Sequence, residues 1–534
     1  MTLTNFKFHG GIHPKQLKDL SRDRAIESIS WRDEDEIVIT LSQGIGSLNH
    51  PILSIGDSVQ AKQRISECYG EISVPVHSPC DGTITAIEER PATHPSGLQA
   101  VAIVIKPDAD SSKIDINKAN DLVNHKIDVS KLSELLSSLT AEEIISKIRI
   151  GGVIGLGGAG FPTCAKLHGG IKTNIETLII NGMECEPRIT CDDRLMRERA
   201  IEIIAGVEIL DHLLHPNSIK IGVEDNKPEA ILALEIATTS STSSIEIITT
   251  PTLYPSGGER QLIQLLTGKE VPSGTLPSAI GVVCQNVATV AALYHALLER
   301  PLTHRVVTVT GDGVESAGNY SVPIGIPIDS LLTQCGVVDS VRITVGGPMM
   351  GFELHNSRSP ITKTVNCLIV EKNSSLPSAP ERYNCIRCAS CSDACPAKLM
   401  PQQLYWAAQS RDFEQTEKLN LFDCIECGCC DFVCPSKIPL VSYYRYAKGV
   451  IRGAKQEQNR ADEARVRHEF HDARITREKA EKAEKLAKKR AALKAKKESN
   501  KSTDKPNDAD KKGAAIRAAI KRAEAKKKAA AANS

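Results

Sequence analysis

Apolar positions along the chain fall into five stretches of different rhythm. Up to about residue 125 they come in short alternations broken by Gly-Asp, Ser-Pro and Asp-Gly, as in PILSIGDSVQAKQRISECYGEISVPVHSPCDGTITAIEER (51–90), which predicts a small β sandwich with hairpins. From 126 to 300 the spacing is that of an α/β segment. Leu132, Leu135, Leu136, Leu139, Ile144, Ile145 and Ile148 recur at helical intervals and predict one apolar helix face over 131–148. Between 303 and 370, β-branched residues alternate around Gly311-Asp312-Gly313 and several prolines, followed by a short predicted helix over 328–335. In 372–450, PAKLMPQQLYWAAQSRDFEQTEKL (396–419) reads as helix opened by Pro396 and Pro401. IPLVSYYRYAKGVIRGA (438–454) reads as a helix with tyrosines on one side and Arg445, Lys448 and Arg452 on another, and is expected to pack on its own cysteine-rich neighbour. From 451 to 534 the chain is Ala, Lys, Glu and Arg, helical in segments but unable to bury a core, with a flexible break over 500–513. The pattern is that of a multidomain α/β plus β protein.

Composition changes this picture in one respect. The 534 residues, 41% hydrophobic and 25% charged, are ordinary for a globular protein. There is no run of about 18 apolar residues, and MTLTNFKFHGGIHP lacks the layout of a signal peptide, so a cytoplasmic, non-spanning chain is expected. The net charge of +1 hides an asymmetry, because residues 481–534 hold 18 Lys and Arg against 7 Asp and Glu, which leaves −10 for the rest. A basic tail without aromatic interleaving argues against nucleic acid and for an anionic membrane surface.

The cysteines carry the chemistry. Of 17, eight form two copies of C-x2-C-x2-C-x3-C-P: Cys385, Cys388, Cys391 and Cys395 before Pro396, then Cys424, Cys427, Cys430 and Cys434 before Pro435. Three cysteines at that spacing wrap one face of a four-iron cubane, while the fourth, before proline, serves the neighbouring cluster. Cys385, Cys388, Cys391 and Cys434 are therefore expected to hold one [4Fe-4S] cluster, and Cys424, Cys427, Cys430 and Cys395 the other. Zinc modules usually present two separated cysteine pairs instead. The other nine cysteines, Cys429 among them, read as free thiols of a reducing compartment.

The second informative stretch is GGVIGLGGAGFPTCAKLHGG (151–170), a glycine-rich turn leading into a helix near Pro162, where backbone N–H groups meet an anion. The run from Gly155 through Gly157, Gly158, Gly160 and Phe161 to Lys166 resembles the flavin loop of the NADH-oxidising 51-kDa-type subunit of respiratory complex I. Three further segments resemble that family in the same order: Asn181-Gly182-Met183-Glu184-Cys185-Glu186-Pro187, Tyr254-Pro255-Ser256-Gly257-Gly258-Glu259, and Gln285-Asn286-Val287-Ala288-Thr289. The resemblance implies that Gly155, Gly157, Gly158, Gly160 and Lys166 hold FMN, with Phe161, Glu184 and Tyr254 in the same cofactor site. It also implies that Asn181 and Asn286 contact the flavin, and that Glu186 and Glu259 face NADH, the substrate. The chain departs from the pattern at Met183, Gly258 and Gly169, where the family carries an Asp, a Glu and a second Phe.

Gly56, Asp57, Val59, Gln63, Ser78, Pro79 and Gly82 resemble a biotinyl/lipoyl-type domain without its modified lysine, and 303–370 resembles the β-grasp domain that follows the complex I flavin domain. VGGPMMGF (345–352) is assigned no chemistry. The order of parts, beginning with HGGIHP at His9 to Pro14, resembles the C subunits of Rnf ion-translocating oxidoreductase complexes. The resemblance implies a barrel-sandwich hybrid (1–125), a Rossmann-like FMN/NADH domain (126–300), a β-grasp domain of the soluble-ligand-binding type (303–370), a helical two-cluster ferredoxin (372–450) and a helical basic tail (451–534). It further implies a peripheral protein on the cytoplasmic side of the bacterial inner membrane. There it would pass electrons from NADH to the other Rnf subunits, with ferredoxin or flavodoxin as indirect partners. A soluble corrinoid-reductase-like enzyme and a cluster-only relay without nucleotide binding are the alternatives.

Overall fold

The structure, a computed structural model, describes residues 2–3, 6–108, 129–338, 340–375, 381–499 and 509–530. It divides into two units, Met1–Gly449 and Val450–Ser534. The sequence TLIING, buried on both faces as a parallel strand must be, forms Thr177–Gly182 near the middle of a five-stranded sheet. The order across that sheet is Thr2–Leu3, Ile245–Thr250, Ser218–Glu224, Thr177–Gly182, Val282–Asn286, with every neighbour pair parallel. Leu178 and Ile180 point to one layer, with Ile203, Val207 and Leu210 of helix Ala200–Leu214; Ile179 points to the other, with Leu262 and Ile263 of helix Glu259–Thr267. The carboxyl ends of Thr177–Gly182 and Val282–Asn286 thus open side by side, where ligands of parallel sheets collect.

The predicted helix over 131–148 is two helices, Val129–Ser138 and Ala141–Ile150. Thr140 stops the first and caps the second: its side chain accepts from Glu143 N, and the Glu143 carboxylate accepts from Thr140 N. This T-x-x-E capping box interrupts an apolar period that runs on regardless.

A mixed six-stranded sheet follows the order Phe352–Glu353, Val341–Val345, Cys367–Lys372, His304–Thr310, Gly318–Pro323, Glu27–Ser28. Helix Ile328–Gln334, close to the predicted span, lies between its strands Gly318–Pro323 and Val341–Val345. An antiparallel sheet of Ile37–Thr40, Gln99–Pro107, Gly82–Pro91 and Ser58–Val59 packs its Ile37, Ile39, Ile103 and Ile105 into the same core as Val307, Val309, Ile326 and Leu331. The sandwich and the 303–370 segment therefore share one interior.

The cysteine-rich segment carries helices Ser390–Asp393, Pro401–Gln409, Phe413–Lys418 and Cys429–Val433, and the start of helix Leu440–Ser499. Helix begins at Pro401, not at Pro396, which stays in the turn after Cys395. The second unit holds the remainder of the long helix and helix Ala509–Ala530, and most of its large apolar side chains, such as Phe470 and Leu493, are exposed, Ile451 at its start being buried. The break expected over 500–513 lies outside the described residues as far as 508, and its last five residues belong to helix Ala509–Ala530. Among the described residues no helix is long and apolar enough to cross a membrane.

Candidate cofactor sites

The two cysteine motifs do not fold onto themselves. Cys385, Cys388, Cys391 and Cys434 line one cavity of about 430 Å³, and Cys395, Cys424, Cys427 and Cys430 line another of about 350 Å³. Each cavity draws its fourth cysteine from the other motif. The cause is local: Cys395 and Cys434 each end a short helix, Ser390–Asp393 or Cys429–Val433, and a turn then carries the chain away towards the neighbouring motif. A tetrahedral zinc at 2.3 Å from each sulfur would draw the sulfurs to within about 4 Å of one another. Among the described residues the one trio of potential ligand atoms within 4.8 Å of one another is Glu184, Cys191 and Asp192, so no three cysteine sulfurs stand that close together.

Tyr444 walls the second cavity and donates to Pro401 O at 2.6 Å. Lys448, on the basic side of this helix, is buried and donates to Cys424 O at 2.6 Å and Glu426 Oε1 at 2.8 Å. Arg445, which stays exposed, donates to Glu426 Oε2 at 2.9 Å. The helix thus packs on its own cysteine cavity. Cys429, one residue from Cys430, is wholly buried in the same wall.

The glycine loop is pinned at Leu156, whose N–H donates to Thr289 Oγ1 at 2.8 Å and whose carbonyl accepts from Arg305. Gly160 N donates to Gly155 O at 3.1 Å, closing the turn. Gly158 has φ of +100, and a Cβ there would meet nothing within 4 Å, so the loop crest is both left-handed and open. Gly157 rests on Asn286, with a Cβ distance of 3.4 Å, and Phe161 is half-buried at the end of the loop. Helix Thr163–Ile171 starts directly behind, and from it Lys166 reaches Glu259 Oε1 at 2.5 Å and Cys284 O at 2.6 Å.

Asn181 and Asn286 end the two adjacent strands. Asn181 donates to Gly257 O at 2.9 Å; Asn286 caps helix Val287–Leu297 through Ala288 N at 2.9 Å and donates to Asp192 at 2.6 Å. Glu184, at φ +47, accepts Asp192 N at 2.6 Å and Asp193 N at 3.2 Å, which caps helix Cys191–Glu198. Burial pushes its carboxyl up to about 7, against the Lys18 ammonium.

Not all the predicted residues gather at the loop. Glu186 accepts the N–H groups of Met349 and Met350 at 2.7 and 3.0 Å, and Tyr254 donates to Cys427 O at 2.6 Å. Sequence reasoning missed Lys18, Asp192 and Met349. No motif signals Lys18 or Asp192, whereas the paired glycines of 345–352 were a visible sign of a crowded backbone.

The residues around the loop suit a flavin phosphate on this geometry. Gly158 faces open space, Lys166 and Glu259 of the helices nearby are 30% and 40% exposed, and among the described residues the buried Thr163 Oγ1 and Gln285 Nε2 have no hydrogen-bond partner. Together, an open glycine crest before a helix and two crossed four-cysteine cavities define a flavin and iron–sulfur electron-transfer protein. Residues 148–295 match the Nuo51 FMN-binding domain, 6–110 the RnfC barrel sandwich hybrid domain, 306–353 the SLBB domain and 380–435 the 4Fe-4S dicluster domain.

The C subunit of the ion-translocating oxidoreductase complex of Pectobacterium atrosepticum is 45% identical over 488 residues, 91% of this chain and 67% of that one. Its counterpart in Haemophilus influenzae (strain 86-028NP) is 45% identical over 474 residues, 88% and 69% respectively. The chain belongs to this family of C subunits of ion-translocating oxidoreductase complexes, and spans about two thirds of the length of these relatives. An NAD+-reducing [NiFe]-hydrogenase superposes over 57% of this chain and 61% of that one at a TM-score of 0.44 and 18% identity, too partial a likeness to bear on function.

Proposed function

We propose that the chain is the electron-input subunit of an ion-translocating oxidoreductase complex, taking electrons from NADH at an FMN and passing them through two [4Fe-4S] clusters. The observation that carries this reading is the pair of crossed four-cysteine cavities in the same unit as the glycine loop with its Lys166–Glu259 pair. When bound, FMN accepts a hydride and releases single electrons, which is what two adjacent one-electron clusters require. The chain's own residues bind and orient. Gly157 and Gly158 form the open crest that would face the phosphate, Gly155 and Gly160 shape that crest by closing the turn through their own backbone hydrogen bonds, Phe161 ends the loop, and Lys166 supplies a cation for phosphate. Asn181 and Asn286 border the ring site, with Glu184 beneath and Tyr254 towards the clusters. Glu259 and Glu186 are the carboxylates for the nicotinamide nucleotide. Cys385, Cys388, Cys391 and Cys434 hold one cluster and Cys395, Cys424, Cys427 and Cys430 the other. We further read the parallel sheet as Rossmann-like and the 303–370 segment as a β-grasp domain.

The family supports assembly with the other subunits of such a complex. Ferredoxin or flavodoxin as distant partners, and a position on the cytoplasmic side of the inner membrane, belong to the same proposal. The exposed basic helices of the second unit suit an anionic membrane surface, at about 1 kcal/mol per Lys or Arg near headgroups. The deciding experiment is an anaerobic NADH titration of the reconstituted protein. Bleaching of flavin absorbance followed by cluster reduction is expected; an unchanged spectrum with intact clusters and bound flavin would sink the proposal.

A further inference from the structure

The turn 345–352, Val-Gly-Gly-Pro-Met-Met-Gly-Phe, is absorbed by none of this chemistry. It leaves strand Val341–Val345 and presses on two neighbours. On one side Met349 and Met350 donate their N–H groups to Glu186 Oε1 at 2.7 and 3.0 Å. Gly347 lies against the same side chain, so closely that a Cβ would fall 1.9 Å from Glu186 Cγ. No other residue type fits there unless the carboxylate moves. On the other side the Met349 carbonyl abuts Gly428, at φ +77 between Cys427 and Cys429, where a Cβ would lie 2.9 Å from that oxygen. Arg445, paired with Glu426, donates to Met350 O at 3.4 Å. Met349 packs with Tyr254, Cys427 and Cys429 in one apolar cluster, and the Tyr254 hydroxyl donates to Cys427 O at 2.6 Å. Burial raises the Glu186 carboxyl above its ordinary range, while the Met349 and Met350 amides favour its charged form.

We propose that the 345–352 turn is a positioning strut that seats the Glu186 carboxylate and couples it to the Cys424–Cys430 loop of the second cysteine cavity. The coupling deepens the function proposed above and rests on its cluster assignment. A group that draws Glu186 away leaves the half-buried Met349 amide without an acceptor, while the exposed Met350 amide can turn to water, and the turn must shift to satisfy the first. Its far side is the Met349 carbonyl on Gly428, so the shift changes packing and hydrogen bonding beside Cys427. Such contacts set the potential of an iron–sulfur cluster. The other cavity, walled by Cys385, Cys388, Cys391 and Cys434, does not include the residues this turn touches and should not respond.

The test is an EPR-monitored redox titration of the full-length holoprotein with a chemical reductant, on wild type, Gly347→Ala and the isosteric Glu186→Gln, each at full iron content. The midpoint belonging to the Cys395, Cys424, Cys427 and Cys430 cluster is identified from a Cys388→Ala form that retains only that cluster. Gly347→Ala is expected to shift this midpoint and leave the other at its wild-type value. Glu186→Gln, which keeps an acceptor but removes a negative charge, should move the same midpoint to higher potential. In a Glu186→Ala background the obstacle to a Cβ at residue 347 is gone, and Gly347→Ala should then add no further shift. Two unchanged midpoints, two equal shifts, or an equal effect of Gly347→Ala with and without the Glu186 side chain would each overturn the strut. Because the reductant is chemical, these midpoints read the strut even in a chain that fails to oxidise NADH, which would count against the proposed function instead.

Discussion

The crossing of the two cysteine motifs yields a prediction that single substitutions cannot test and double substitutions can. Cys395 stands in sequence with Cys385, Cys388 and Cys391, yet lines the cavity of Cys424, Cys427 and Cys430. If these cavities are the cluster sites, Cys395→Ala alone removes one cluster, leaving about four of about eight iron atoms per chain, and so does Cys388→Ala alone. Combining Cys395→Ala with Cys427→Ala strikes the same cavity twice, so about four iron atoms should remain. Combining Cys395→Ala with Cys388→Ala strikes both cavities, and iron should fall close to zero. An uncrossed arrangement reverses the two outcomes. Iron and acid-labile sulfide per chain after anaerobic reconstitution, with EPR of the reduced protein, distinguish them by a full cluster. Alanine is used because serine oxygen is itself a weak ligand. Cys429→Ser is the control: its thiol is in the wall but outside both motif sets, so iron should stay at wild-type content. If the 395/427 pair emptied the protein while the 395/388 pair kept half its iron, the crossed assignment would be wrong.

Two other outcomes follow from the flavin side and from a buried lysine. Lys166→Ala removes the cation beside the glycine loop, and loss of a charge-assisted contact of about 1.5–3 kcal/mol should weaken FMN retention roughly 10- to 150-fold, measured as flavin fluorescence released per chain; undiminished flavin would refute the phosphate role. Lys363, 1% exposed and donating to Pro75 O at 3.0 Å and Gly152 O at 2.7 Å, is pushed down to about 7 by burial, from 10.5. Between those values the unfolded chain holds the extra proton, so stability rises with pH by at most about 1.4 kcal/mol per unit and is lost as pH falls through 7. Lys363→Met should flatten that part of the thermal-stability profile between pH 7 and 9, and an identical slope in both proteins would contradict the burial argument.

Much of the cofactor chemistry was legible because it is local. The cysteine spacing, the glycine loop and the tyrosine helix each follow from contacts a few residues apart, and all three stand in the structure close to where the pattern predicts them. The failures are equally instructive. The apolar period over 131–148 continues across a helix boundary, because the core sees only which face is apolar, whereas Thr140 and Glu143 decide where the backbone turns. Helical spacing groups Lys448 with Arg445 and Arg452 but does not show that it is buried, held by the Cys424 carbonyl and Glu426. Glu186 stands two residues from Glu184 in one motif, but their carboxylates cap different backbones, one the helix at Cys191 and the other the turn at Met349.

By itself, then, the sequence determined which groups are available as soft ligands, as phosphate-facing amides and as buried strands, since these depend on residue type and short-range spacing. Only the tertiary structure decided which cysteine serves which cavity, that the first thirty residues lend strands to two sheets far along the chain, and that a methionine turn from one sheet lies between Glu186 and Cys427. Those outcomes depend on contacts between residues tens to hundreds of positions apart. Burial, hydrogen-bond satisfaction and close approach select such contacts all at once, and no local pattern encodes them.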